Sequence, residues 1–144
     1  LAYSFTTSQP LGIIITPISP EKRASINERM TIDGSTLQWQ ADVELTSQTA
    51  PIALHRVDVD PRIHITGASV TQDGADRQIR WTRTSEQQLA LLLANEMTGT
   101  QMIHLSGYVP FETGDLMNLP HFSVRNTVVS QHTLTLLSRS DWTV

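Results

Sequence analysis

The alternation from Leu37 to Leu45 constrains this chain more than any other feature. Leu37, Trp39, Ala41, Val43 and Leu45 are apolar, and Gln38, Gln40, Asp42 and Glu44 fill the positions between them. Side chains on a β-strand point alternately to the two faces of a sheet. A strict period of two therefore describes a strand with one buried face and one wet face. A helix would scatter these five apolar residues around its circumference. The chain must build a sheet and cover one side of it.

The same period recurs along the sequence. Ala24, Ile26, Met30 and Ile32 alternate ahead of Asp33-Gly34, with Glu28 interrupting the series, and the two runs read as a hairpin centred on Asp33-Gly34. A short helix over 20–29, with Ser19 as N-cap and Pro20 in the first turn, is the competing reading of that segment. Val57, Val59, Ile63 and Ile65 share one parity, and Pro61 marks an edge or a joint between strands. Asp73-Gly74-Ala75-Asp76 is a turn, after which Ile79 and Trp81 point inward. Leu89–Leu93 is apolar on both faces, as a covered central strand would be. Ile103, Leu105, Gly107, Val109 and Phe111 follow, then Phe122 with Val124 and Leu134 with Leu136.

This spacing predicts an all-β fold: a two-sheet antiparallel β-sandwich of nine or ten short strands with little or no helix. Its pattern is immunoglobulin/fibronectin-like or jelly-roll-like, with residues 1–144 forming one domain. Trp39 and Trp81 are expected in the core.

Composition removes several function classes. At 39% hydrophobic the chain is too apolar for disorder, yet no run approaches the ~20 residues of a membrane helix. Without cysteine there is no disulfide framework, thiolate nucleophile or cysteine-ligated metal. A net charge of −4 argues against a phosphate-binding surface, and Asp73, Asp76 and Glu86 offset Arg77, Arg80 and Arg83, so no nucleic-acid partner is expected. The missing cysteine, the single Lys22 and the abundance of Thr, Ser and Gln favour an extracytoplasmic setting. The abrupt Leu1-Ala2-Tyr3-Ser4 start and Trp142-Thr143-Val144 end suggest a module cut from a longer chain.

Motifs for chemistry are absent. The five histidines show neither His-x-His nor His-Glu-x-x-His spacing, Leu105-Ser106-Gly107-Tyr108 lacks the first glycine of a nucleophile elbow, and the glycines never cluster. No catalytic residue and no cofactor are expected. Two binding possibilities stay open. Calcium would draw on Asp58, Asp60, Asp73 and Asp76, although Arg56 and Arg62 can neutralise the first pair and a turn alone explains Asp73. Carbohydrate would draw on exposed aromatics, for which Tyr108, of wet parity, and the terminal Trp142 are the candidates. An unguarded edge strand would take a partner's strand. The Arg56–Arg62 stripe with Pro61, and the Pro110–Pro120 loop, are the expected guards.

Several features together resemble β-sandwich modules of large uncharacterised bacterial envelope proteins. They are the Asp33-Gly34 hairpin into Leu37-Gln38-Trp39-Gln40, the Arg56–Asp60 strand, the Leu89–Leu93 and Met102–Leu105 strands, and the proline-containing loop before Phe122. The similarity runs from about Pro17 to Leu137. It implies a sandwich architecture and an envelope setting, in periplasm or at the cell surface, and supplies no functional residue. The expectation is a non-catalytic structural or protein-interaction module of a larger bacterial envelope or secreted protein. It would meet neighbouring domains of its own chain or another envelope protein, without inserting into the membrane. The alternative is a carbohydrate-binding module with a structural calcium.

Overall fold

The computed structural model describes residues 21–112 and 118–138, and these are all-β. The strands are β1 (Lys22–Asp33), β2 (Thr36–Val59), β3 (His64–Gln72), β4 (Ala75–Arg77), β5 (Ile79–Ser85), β6 (Gln88–Pro110), β7 (Phe122–Val124) and β8 (Val128–Ser138). The segment 20–29, open between helix and strand in the sequence, lies in β1 from Lys22 onward.

The second hairpin turns where its residues predict, at Asp73-Gly74, and the first turns one residue later than predicted, at Gly34-Ser35. Asp33 and Thr36 face each other across a two-residue turn with Gly34 at φ +61°. Gln72 and Ala75 do the same across Asp73-Gly74, where both central residues have positive φ. Asp and Gly tolerate that backbone better than other residues, which accounts for Asp73 without a ligand.

Two strands exceed the expected short lengths: β2 has 24 residues and β6 has 23. They pair antiparallel along almost their whole length and form the spine of an eight-stranded sheet, ordered β4-β3-β6-β2-β1-β8, with β5 added to β6 and β7 to β2. A straight strand would place Trp39 about 66 Å from Val59. Yet the Trp39 ring meets Phe122, the register partner of Val59, at a centroid distance of 5.5 Å. The spine must therefore double over. The corner is visible as paired irregularities: β2 carries extra residues between Ser47 and Ile52, and β6 carries them between Leu92 and Met97. Beyond both, the original register resumes. Pro51 withholds an N–H there, Ser47 donates its hydroxyl to the Ala50 carbonyl, and Gly99 takes φ +88°.

The result is a sandwich made by folding one sheet rather than stacking two separate ones. The first layer holds β1, β2 up to Ser47, β6 from Gly99, β3, β4 and β8. The second holds the remainder of β2 and β6 with β5 and β7. One pair departs from the expected antiparallel order, since β8 runs parallel to β1. Between the layers lies a continuous apolar core, with Trp39, Phe122, Ile26, Met30, Leu89 and Ile103 among its members.

One core expectation is corrected. Trp81 has the inward parity, opposite buried Leu91, but its residue is 40% exposed. It sits on β5, which among the described strands pairs with β6 alone, and it lines an open groove with Pro61, Ile63, His64 and Ile65 instead of entering the interior. Leu92, expected to be covered on the outer face, is exposed as well.

His55 and Gln101 are buried polar residues near the corner, and the His55 Nε2 lies 2.6 Å from the Gln101 Oε1. Burial, opposed in part by that hydrogen bond, holds the His55 pKa below 6.5. The unfolded chain therefore binds more protons than the native one between the native His55 pKa and about 6.5, so stability falls on acidification through that window. Asp60, whose pKa is lowered to about 2, contributes only at still lower pH. We expect the melting temperature to decline as pH drops below ~6.5, and the decline to vanish in His55→Gln, as read by calorimetry across pH.

Candidate interaction surfaces

The most exposed element is β8. Among the described residues it pairs with β1 alone, and every one of its residues is solvent-exposed. Its register with β1 places His132 opposite Ile26, Leu134 opposite Glu28 and Leu136 opposite Met30. Those β1 residues face the core, so His132, Leu134 and Leu136 lie on the same side of the sheet. They nevertheless project beyond the second layer. Val129, Leu134 and Leu136 on this side are 42–50% exposed, whereas Val128 and Leu137, opposite Arg23 and Thr31, are exposed on the outer face. Along Val128–Leu137, a strand edge with no pairing partner among the described residues is thereby joined to an exposed apolar shelf.

Nothing on β8 blocks pairing. Residues 128–138 contain no Lys, Arg, Asp, Glu, Pro or Gly, the devices by which edge strands repel an incoming chain. The expected guards sit elsewhere. Pro61 lies in the joint between β2 and β3, and Pro110 ends β6. Sequence reasoning missed the β8 edge, although its lack of charge over 11 residues was the available signal.

A polar contact ties β8 to the core. Glu28, which breaks the apolar series of β1, is only 5% exposed. The Trp39 indole N–H donates to its Oε2 at 2.8 Å, and the His132 Nε2 lies 2.6 Å from its Oε1. Glu28 faces Ala41 in register, which makes Trp39 its diagonal neighbour, within reach of a long side chain. The carboxylate thus satisfies a buried indole on one side and an edge-strand imidazole on the other.

The outer face of the first layer is polar, as the alternation from Leu37 to Leu45 predicts. Tyr108 is 37% exposed there and its ring stacks on that of His64, with centroids 5.1 Å apart and planes 19° from parallel. Next to it runs a groove of about 440 Å³ lined by Gln40, Asp42, Gly67, Ser69, His104 and Ser106. Within it, the His104 Nδ1 and Asp42 Oδ1 are 2.7 Å apart. The second aromatic candidate, Trp142, lies outside the described residues.

The four aspartates are not brought together as one donor set. Asp58 accepts from the Arg125 Nε at 2.7 and 2.9 Å, so its counter-charge comes from Arg125 rather than from Arg56. Asp60 accepts from the Arg62 side chain at 2.9 and 2.7 Å and from the Arg62 and His121 backbone N–H groups. Those bonds, Arg62 above all, draw its pKa down to about 2. Asp73 occupies the β3–β4 turn and Asp76 the short β4. Among the described residues no group of three or more His, Asp or Glu side chains is placed to hold a metal ion.

Fold and surface together define an all-β, sandwich-like fold in which β8 has one pairing partner among the described strands. No family model matches the chain, and no curated protein matches it. Among solved structures it is similar to an M1 zinc metallopeptidase from Deinococcus radiodurans, with 15% identity, a TM-score of 0.45, and coverage of 70% of this chain and 22% of that one. It is also similar to native leukotriene A4 hydrolase from Saccharomyces cerevisiae, with 8% identity, a TM-score of 0.43, and coverage of 61% of this chain and 15% of that one. The chain thus spans less than a quarter of the length of either protein.

Proposed function

We propose that this chain is a non-catalytic protein-interaction module of a larger bacterial envelope or secreted protein, and that it works through β8. The observation that carries the reading is the combination, along Val128–Leu137, of an uncharged strand edge that no described residue pairs with and exposed leucines on the core-facing side of the sheet. A partner that adds a strand to β8 would gain main-chain hydrogen bonds along the edge. The same partner, or a neighbouring domain of the same protein, would cover Leu134 and Leu136 and continue the core.

The test is the double variant Leu134→Lys/Leu136→Lys. Both positions are exposed, so the variant's own stability should change by less than about 1 kcal/mol. Binding of the partner or neighbouring domain should be lost, as measured by calorimetric titration or co-purification. A variant that keeps its partner, or one that loses several kcal/mol of stability, contradicts the reading.

A further inference from the structure

We propose that the polar face around Tyr108 is a binding site for a neutral oligosaccharide, independent of the docking role assigned to β8. The argument begins with register. On the outer face of the first layer, β2, β6 and β3 lie side by side, so their residues form rows across three strands. The first row is Gln38, Tyr108 and His64. The second is Gln40, Ser106 and Gly67, and the third is Asp42, His104 and Ser69.

The rows differ in a way that suits one ligand chemistry. His64 backs one side of the Tyr108 ring, which limits the ring's rotation and leaves its other side toward the Gln38 strand. An aromatic surface of this kind takes the C–H face of a pyranose. The following rows supply amide, hydroxyl, carboxylate and imidazole groups, which donate to and accept from sugar hydroxyls. Gly67 has no side chain to fill the space beside Ser106, where a Cβ would lie 2.9 Å from the Ser106 Oγ, and the groove passes over it.

Charge and length narrow the class. The three rows hold no Lys or Arg, and the carboxylate they contain, that of Asp42, is held by His104. Arg29 stands one strand further out, opposite Gln40. A phosphorylated or strongly anionic ligand would have no cation inside the rows. Four residues of strand separate the first row from the third, on the order of 13 Å. That length suits an oligosaccharide rather than a single sugar. Apart from Tyr108 the rows present no large exposed hydrophobic side chain, which disfavours a protein partner on this face.

The experiment is affinity electrophoresis of the 144-residue protein in gels containing cellulose-, xylan-, mannan- and β-1,3-glucan-type neutral polysaccharides, with alginate as the anionic comparison. Isothermal titration with the matching oligosaccharides follows. The expected result is retardation by at least one neutral glycan, insensitive to salt. Affinity should fall about tenfold or more in Tyr108→Ala and be retained in Tyr108→Phe, which keeps the ring. Gln40→Ala, a side chain directed to solvent, should weaken binding without changing the melting temperature, which covers the case in which Tyr108→Ala folds poorly. No retardation by any neutral glycan, retardation by alginate alone, or retardation unchanged in both Tyr108→Ala and Gln40→Ala would overturn the proposal. Because Leu134→Lys/Leu136→Lys leaves this face intact, that variant should bind glycan as the wild type does.

Discussion

Trp39→Ala should lose about 3–5 kcal/mol of stability, the range for truncating a fully buried large aromatic. The Trp39 side chain is completely buried where the two layers meet, its ring packed on Phe122 of β7. Removing it would leave a cavity on β2, the central element of the fold. The loss has a second component, because the indole N–H is the donor to Glu28. Without it, a buried carboxylate oxygen loses its hydrogen bond. Trp39→Phe separates the two effects: it retains most of the ring but not the N–H, and should cost about 1–3 kcal/mol. Thermal denaturation of both variants checks the pair. Near wild-type melting of Trp39→Ala would mean that the layers do not close over this residue.

Gly107→Ala should also destabilise the fold, by about 1–3 kcal/mol. Gly107 lies between Trp39 on β2 and Ile65 on β3. A Cβ there would fall 2.6 Å from the His64 carbonyl oxygen and 2.8 Å from the Ile63 Cγ2. Main chain cannot swing aside as a long side chain can, so β3 would have to retreat from β6. The displacement would reach the stacked His64 and Tyr108 rings directly. Gly67→Ala is the useful contrast, since the added methyl would meet only the Ser106 hydroxyl. Melting curves should rank Gly107→Ala well below Gly67→Ala. Equal stability of the two would show that β3 is not held closely against β6.

These effects also show what the sequence could and could not reveal. The alternation at Leu37–Leu45 and the Asp73-Gly74 turn are local properties and appear where the residues place them, and the first hairpin turns at Gly34-Ser35, one residue on from Asp33-Gly34. Parity says which face a side chain points to. It does not say how far the opposite layer extends, and Trp81, Leu134 and Leu136 are exposed at the margins for that reason. The corner at Ser47–Ile52 and Leu92–Met97 reads in sequence as strand ends, although both strands continue beyond it. Nor does any local pattern announce that β8 pairs parallel with β1, a strand more than 90 residues earlier. Glu28 reads as a flaw in an apolar series because its partners, Trp39 and His132, belong to other strands. For the candidate surfaces, the exposure of Tyr108 followed from its parity, whereas the stacking on His64 depended on the β3–β6 register.

The docking role of β8 rests on its outer edge being open. Residue-resolved hydrogen exchange of the isolated chain measures this directly. The account predicts that, within 128–138, amides directed away from β1 exchange rapidly and alternate with slower ones directed toward it, while those of Thr36–Leu45 on β2 stay protected. Uniform protection along 128–138, equal to that of β2, would contradict it, because the edge would already be covered within the chain itself.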